Sequence, residues 1–96
     1  MKKDIYIIKN SINDKVYIGQ AKNTYVRWAG HKSCARHSSK SITIDKAMAE
    51  LGINNFWVEI IETQIENYDE REKYWINYYN SLIPNGYNLL EGGDGA

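Results

Sequence analysis

The sequence predicts an α/β fold of the α+β type, in which a small three-stranded antiparallel sheet is flanked by three helices. Three features predict it: two short apolar runs joined by a turn-rich segment, three segments with helical caps or spacing, and a later β-branched and aromatic run. In chain order these elements give β-β-α-α-β-α. Each amphipathic element must bury one face, so helices packed on a sheet are the natural arrangement.

The first two strands are predicted to form a β-hairpin. Apolar residues occupy positions 5–8 and 16–19, and the segment 9–15 between them is rich in Asn, Ser and Asp, which close turns through their side chains. Alternation along a strand places four aliphatic side chains on one face, namely Ile5, Ile7, Val16 and Ile18. Tyr6 and Tyr17 then share the opposite face, where they form either ordinary sheet packing or the floor of a site.

Two helices are predicted after the hairpin. Asn23 and Thr24 are favourable N-cap residues, so the first helix is expected over about residues 24–35. Gly30 lies inside it, and because glycine destabilises a helix by roughly 1 kcal/mol relative to alanine, a close approach is expected there. The second helix carries apolar residues at i, i+3, i+4 and i+7, namely Ile44, Ala47, Met48 and Leu51. Gly52 is expected to end it.

One strand and one helix complete the predicted fold. The strand is expected over residues 56–61, and the helix is expected to begin at Asp69. The helix carries a largely apolar stripe: Glu72, Trp75, Ile76, Tyr79 and Leu82. Residues 84–86 predict a turn and residues 87–90 a short extended segment. The glycine-rich residues 91–96 are expected to form a flexible tail.

Length and composition favour one cytoplasmic domain over residues 1–96. A chain of 96 residues, 43% of them hydrophobic, is large enough for a single modest core. No apolar run approaches the roughly 18 residues that a membrane span requires. The single cysteine, Cys34, excludes an internal disulfide and fits a reducing compartment, and we expect it to be a buried or half-buried small apolar residue.

Charge is distributed unevenly along the chain, although it sums to zero. Residues 1–48 carry a net charge of +7 and residues 49–96 carry −7. A basic half can direct one face of a protein toward phosphate groups. Two solvated halves that attract each other would show the same asymmetry, so charge alone leaves both interpretations open.

Arg27 and His31 stand on one face of the predicted first helix because they are four residues apart. Most pairs of this kind are simply solvated. This pair, however, follows the hairpin after one short loop, so the helix start would lean over Tyr17 and Gly19. A guanidinium suits a phosphate because its planar fork matches two oxygens and its charge persists at all ordinary pH values.

Glu72 allows two interpretations. Asp69 and Glu72 have the spacing of a capping box, in which the acid bonds back to the N-cap amide. If the helix begins at Asn67 or Tyr68 instead, Glu72 falls on the buried stripe, where a carboxylate needs a partner or a metal ion. The metal expected there is a hard cation such as Mg²⁺, because no cysteine or histidine spacing supports zinc.

Together these residues resemble the GIY-YIG nuclease family over nearly the whole chain. The first triplet of the family falls on residues 4–6, which read Asp-Ile-Tyr. Ten residues intervene, and residues 17–19 reproduce the second triplet as Tyr-Ile-Gly. Asp4 departs from the glycine of the family, and because its side chain is not the catalytic one, little effect on the chemistry is expected.

The resemblance implies roles for individual side chains. The catalytic arginine, the histidine and the metal-binding glutamate of the family fall on Arg27, His31 and Glu72, and its late Gly-Tyr-Asn falls on residues 86–88. Arg27 would then hold the scissile phosphate and His31 would receive a proton. Glu72 would bind one divalent ion, Mg²⁺ or Mn²⁺.

The two tyrosines and Asn88 complete the implied site. Tyr6 would contact the attacking water, and Tyr17 would position water or the phosphate. Asn88 would order the site, and Gly19 would be a structural residue of the motif. A phenol ionises with a pKa of about 10, so Tyr6 can act as a base at neutral pH only when a cation or His31 assists it.

The resemblance therefore implies a divalent-metal-dependent endonuclease acting on double-stranded DNA, similar to the homing endonucleases of phages and other mobile elements. Six side chains are the expected phosphate contacts: Lys15, Lys22, Lys32, Arg36, His37 and Lys40. Because the net charge is zero, affinity should be weak, and a separate DNA-binding region is expected to supply specificity. The alternative is a catalytically inert nucleic-acid-binding or interaction module on the same scaffold.

Overall fold

The predicted element order β-β-α-α-β-α is confirmed by a computed structural model, which describes residues 1–37 and 43–89. Three strands and three helices make up the fold: β1 (Lys3–Asn10), β2 (Tyr17–Ala21), α1 (Thr24–His37), α2 (Thr43–Leu51), β3 (Phe56–Ile65) and α3 (Tyr68–Tyr79). A single 3₁₀ turn, Ile53–Asn55, leads into β3. The predicted tail at 91–96 lies outside the described residues. No helix in the described part of the chain is long and apolar enough to cross a membrane.

The sheet is antiparallel, with β1 in the centre and the order β2-β1-β3. Tyr6 of β1 lies opposite Gly19 of β2, and Ile8 lies opposite Tyr17. Strand β3 continues past the predicted end at residue 61 because its last residues pair with the beginning of β1, where Lys3 faces Ile65. The central strand is thus hydrogen-bonded on both sides, which fixes its side chains in register.

The two faces of the sheet support two separate apolar clusters. Below the sheet, Ile5, Ile7 and Ile18 pack with Ile76 of α3. Above it, a second cluster joins the sheet to α1 and α2: Tyr6, Ile8, Tyr17, Ala35, Ile44, Ala47, Met48, Phe56 and Tyr87. The predicted division of the hairpin into an aliphatic and a tyrosine face is therefore confirmed. Full burial of an aliphatic side chain contributes roughly 1.5–3 kcal/mol, so both faces hold the helices against the sheet.

The ends of α1 and α2 follow the predicted caps. The Asn23 side chain accepts hydrogen bonds from the backbone amides of Tyr25 and Val26, at 3.1 and 3.2 Å. Helix α2 ends at Leu51, and Gly52 follows it with a φ of 99° and donates its amide to the Met48 carbonyl. Such a left-handed conformation is the reason that glycine terminates helices.

Three expectations about single residues were wrong. Gly30 has nothing within 4 Å of the position of a Cβ, so no close approach explains it. Cys34 is exposed, because it lies at the edge of the buried face of α1, which carries His31 and Ala35. Tyr79 is 37% exposed, because α3 turns its buried face toward Glu72 and Ile76 only.

Asp4, which departs from the family motif, is a buried hydrogen-bonding hub. Its Oδ2 accepts from Thr24 Oγ1 at 2.8 Å. Its Oδ1 accepts from Thr63 Oγ1 and from the backbone and side-chain amides of Gln64, each at 3.0 Å. Burial alone would raise the pKa of Asp4, but these four hydrogen bonds outweigh it and hold the pKa below its ordinary value. The carboxylate thereby ties the start of β1 to α1 and to the end of β3.

We expect Asp4→Ala to lower the free energy of unfolding by about 1–3 kcal/mol at pH 7, because it leaves the buried Thr24 hydroxyl without its acceptor and removes the hydrogen bonds from Thr63 and Gln64. A folded-state pKa below the ordinary value makes this contribution complete above the unfolded-state pKa and removes it as the pH falls through the folded-state pKa. Urea denaturation at neutral and acidic pH measures it. The gap between the wild type and the variant should shrink below about pH 4.

The control for this comparison is Asp14→Ala, which removes an exposed acid from the hairpin turn. It should unfold like the wild type at both pH values. A stability gap for Asp4→Ala that stays constant down to pH 2, or no gap at pH 7, would contradict the role given to Asp4.

Candidate active site

Tyr6 and Tyr17 form the floor of the site on the upper face of the hairpin. Their ring centroids are 6.4 Å apart and both side chains are buried. Gly19 makes this arrangement possible, because a Cβ at this position would collide with the Tyr6 ring. Any larger residue would therefore push the Tyr6 phenol out of place.

Helix α1 places His31 directly over both phenols. The Tyr6 hydroxyl lies 2.9 Å from His31 Nε2, and the Tyr17 ring meets the imidazole edge at a centroid distance of 5.6 Å. His31 is only 3% exposed. A buried imidazole bonded to a buried phenol is suited to moving a proton between the two groups.

Asp45 of α2 is a member of this cluster that the sequence analysis missed. Its Oδ1 lies 2.7 Å from His31 Nδ1, and Asp45 is 4% exposed. The signal that could have revealed it is an acid three residues before Met48, inside the face of α2 that buries Ile44 and Met48. Tyr6, His31 and Asp45 thus form one buried hydrogen-bonded chain.

Arg27 lies one helical turn before His31. The residue is exposed, but its guanidinium interacts with the buried Tyr6 phenol. Burial raises the pKa of Tyr17 to about 12, with a further rise from Glu72 and Asp45, while the Arg27 charge opposes it. Burial likewise raises the pKa of Tyr6 above its ordinary value, again against the pull of Arg27. Both phenols therefore keep their protons at neutral pH unless another group accepts them.

The two interpretations of Glu72 are resolved by the start of α3. The helix begins at Tyr68 with Asn67 as N-cap, and Asn67 makes no side-chain cap hydrogen bond. Glu72 is therefore not the acid of a capping box. It lies one turn before Ile76 on the buried face of α3 and is 2% exposed.

Gln20 of β2 holds the Glu72 carboxylate in place. Gln20 Nε2 donates to Glu72 Oε1 at 2.8 Å and to Asp69 Oδ1 at 2.9 Å. Lys3 Nζ in turn donates to Gln20 Oε1 at 2.8 Å. One amide group thus joins two carboxylates to a lysine, a connection that the spacing of the sequence did not reveal.

Asn88 acts on the strand that carries Tyr17. Its Oδ1 accepts from the Ile18 amide at 2.9 Å and from Ser81 Oγ at 2.7 Å, and its Nδ2 donates to the Ile18 carbonyl at 2.9 Å. Gly86 allows this loop to close, because a Cβ there would collide with the Ser81 backbone. The Asn88 side chain therefore fixes β2 beside the phenols.

A model of the GIY-YIG catalytic domain matches residues 2–88. The chain belongs to the GIY-YIG family. It is also 40% identical to the Intron-associated endonuclease 1 of Enterobacteria phage T4 over 95 residues, which is 95% of this chain. The chain spans 38% of the length of that relative.

Two solved structures resemble this GIY-YIG domain closely. One is a mutant of the catalytic domain of intron endonuclease I-TevI, with a TM-score of 0.80, 38% identity, and coverage of 96% of this chain and 97% of that one. The other is the catalytic domain of homing endonuclease I-TevI, with a TM-score of 0.78, 36% identity, and coverage of 93% and 99%. The predicted family and the endonuclease class of the domain are confirmed.

GIY-YIG nucleases generally depend on a divalent metal, and the residues of this domain fit such an ion. Glu72 offers a carboxylate that Gln20 orients, and hydrogen bonds of this kind are typical around ligating carboxylates. Within residues 1–37 and 43–89, no group of three or more histidine, cysteine or acidic side chains is arranged to hold a metal. Mg²⁺ suits one carboxylate, because it keeps several of its own waters.

The expected phosphate contacts of the GIY-YIG domain are dispersed over its surface. Lys22 and Arg27 line one groove of about 410 Å³, together with Lys3. Lys15 lies in the hairpin turn, near the Tyr87 ring. The other described members lie on α1: Lys32, Arg36 and His37. Lys40 lies outside the described residues.

Proposed function

We propose that this GIY-YIG domain hydrolyses phosphodiester bonds in double-stranded DNA with one divalent ion, Mg²⁺ or Mn²⁺, bound by Glu72. One observation carries the proposal. Tyr6, His31 and Asp45 form a buried hydrogen-bonded chain near the charged groups of Arg27 and Glu72. Arg27 lowers and Glu72 raises the pKa of both Tyr6 and Tyr17. Phosphodiester hydrolysis needs an activated water, a cation on the phosphate and a stabilised leaving oxygen.

Each side chain has one role in this reaction. Arg27, which is exposed and lines the groove, holds the scissile phosphate through its guanidinium fork. Tyr6 takes a proton from the attacking water and passes its own to His31. Tyr17 positions the water or the phosphate, and Asn88 keeps β2 in register. The chemistry that the ion supplies when bound is neutralisation of charge on the phosphate and the leaving 3′ oxygen.

Tyr6 cannot act alone, because burial raises its pKa and disfavours the phenolate. Tyr6 is therefore protonated at neutral pH. It can accept a proton from water only if it gives up its own phenolic proton at the same time. His31 Nε2, at 2.9 Å from the hydroxyl, is the acceptor within reach. The pair therefore acts as one unit.

Plasmid relaxation tests the proposal directly. We expect supercoiled plasmid to become nicked, one strand per encounter, with Mg²⁺ or Mn²⁺ and to stay intact with EDTA. Persistence of supercoiled DNA with both ions would contradict the proposal and favour the inert binding module. Cleavage unaffected by EDTA would contradict the assignment of the ion to Glu72.

The domain alone is expected to bind DNA weakly, because its net charge is zero, so its sequence specificity needs another source. We infer that a separate DNA-binding region supplies it, as a homing endonuclease would need. The dispersed phosphate contacts and the 38% coverage of the phage relative support this inference. Mapping the cut sites of the domain on defined DNA tests it: scattered nicks are expected, and one fixed site would contradict it.

A further inference from the structure

We propose that Asp45 is a positioning residue that fixes the tautomer and orientation of His31, so that His31 Nε2 is always the atom facing Tyr6. This proposal rests on the proposed function of Tyr6 and His31. It adds a residue of α2 to a site otherwise built from β1, β2, α1, α3 and the loop that carries Asn88. Asp45 does not touch the reacting atoms, and the role proposed for it is exerted through its hydrogen bond to His31.

The geometry assigns the hydrogen on the imidazole. Asp45 Oδ1 lies 2.7 Å from Nδ1, and the two side chains are 6% and 2% exposed. An ionised carboxylate only accepts hydrogen bonds, so Nδ1 must carry the proton. In a neutral imidazole the other nitrogen then has the lone pair. That nitrogen is Nε2, at 2.9 Å from the Tyr6 hydroxyl, which donates to it.

The proton balance of the proposed step gives Asp45 a second effect. As the water oxygen bonds to phosphorus and the bond to the 3′ oxygen breaks, the proton of water passes to Tyr6 and that of Tyr6 passes to His31 Nε2. The departing 3′ oxygen takes a proton from solvent, and the imidazolium later releases its extra proton to solvent, so no proton is gained or lost over the cycle. Asp45 offsets the positive charge of the imidazolium while it exists, as the aspartate of a hydrolase triad does.

Charged and titratable groups of four elements surround His31. The phenols of Tyr6 on β1 and Tyr17 on β2 and the carboxylate of Asp45 on α2 contact its ring. Arg27 of α1 acts electrostatically on these three groups. The Glu72 carboxylate of α3 raises the pKa of both phenols. Of these groups, Tyr6 bonds Nε2 and Asp45 bonds Nδ1. A phenol can donate or accept, whereas a carboxylate only accepts, so the bond to Asp45 is the one that selects the tautomer.

The first test reads the tautomer without any cleavage. In ¹⁵N NMR spectra of the whole 96-residue chain without DNA, His31 should show a protonated Nδ1 and an unprotonated Nε2. Asp45→Asn should move these shifts toward the opposite tautomer, because an amide can also donate to Nδ1. A wild-type His31 with a protonated Nε2 and a bare Nδ1 would overturn the proposal. This measurement needs no cleavage activity. If the domain proves inactive, the proposed function fails, but the spectrum still shows whether Asp45 sets the His31 tautomer.

The second test uses kinetics. Asp45→Asn should lower kcat by about 10- to 100-fold with KM unchanged and should alter the pH profile of kcat, as loss of such an orienting partner does. Asp45→Glu should recover part of the rate, because it restores a carboxylate. Glu50→Gln is the matched control, since it makes the same chemical change at an exposed position of α2.

The outcomes remain decisive even if Asp45→Asn folds poorly, because Asp45→Glu and the wild-type spectrum are independent of it. A folded Asp45→Asn with the wild-type rate and pH profile would overturn the proposal. Equal losses for Asp45→Asn and Asp45→Glu, with an unchanged pH profile and tautomer, would also overturn it, because they would indicate packing alone.

Discussion

Glu72→Gln is expected to reduce metal-dependent cleavage by about 10³-fold or more, because it removes the proposed metal-binding charge. Glutamine has nearly the same shape and keeps a carbonyl oxygen that can accept from Gln20 Nε2. The buried face of α3 should therefore stay packed. Single-turnover cleavage of plasmid over a range of Mg²⁺ and Mn²⁺ concentrations measures the loss. Raising the metal concentration should not restore the rate.

The matched control is Glu70→Gln, which makes the same change on the exposed side of α3. It should cleave at the wild-type rate. Glu72→Ala should behave like Glu72→Gln but with lower stability, because it also leaves Gln20 without one acceptor. Cleavage by Glu72→Gln at the wild-type rate would remove Glu72 from the site.

Arg27→Ala should lower kcat by about 10²- to 10³-fold, because Arg27 is the cationic side chain proposed to hold the scissile phosphate. Arg27→Lys should recover only part of this loss, since an ammonium is a point charge without the bidentate fork. Because Arg27 is exposed and its main protein contact is with the Tyr6 phenol, we expect a change of at most about 1 kcal/mol in the free energy of unfolding for either variant. Rates at saturating DNA, together with urea denaturation, separate the catalytic effect from a structural one.

Lys46→Ala is the control for removal of one positive charge, because Lys46 is exposed on α2 and outside the site. Its rate at saturating DNA should equal that of the wild type. Equal losses for Arg27→Ala and Lys46→Ala would indicate general attraction between the domain and DNA. Full activity of Arg27→Ala would remove the phosphate role from Arg27.

Local periodicity predicted much of the fold and much of the site arrangement. Alternation alone placed Tyr6 and Tyr17 on one face, since it depends only on strand geometry. Helical spacing placed Arg27 one turn before His31 for the same reason. Their roles in cleavage stay predictions until the variants are measured.

Contacts between distant elements could not be read from periodicity. Whether Glu72 caps a helix or lies inside depends on a start at Tyr68 or Asp69, a difference of one residue that packing against the sheet decides. Asp45 meets His31 only because α2 packs on α1. Gln20 meets Glu72 only across β2 and α3. Each of these contacts is a tertiary one.

The hydrogen bonds between the Asn88 side chain and the Ile18 backbone also affect how copies of the domain associate. Strand β2 lies at the edge of the sheet, and an edge strand offers its backbone to any chain that can pair with it. Asn88 occupies both backbone groups of Ile18, and the Tyr87 amide donates to the Val16 carbonyl. The residue that steadies the proposed active site therefore also caps an edge at which copies of the domain could otherwise aggregate.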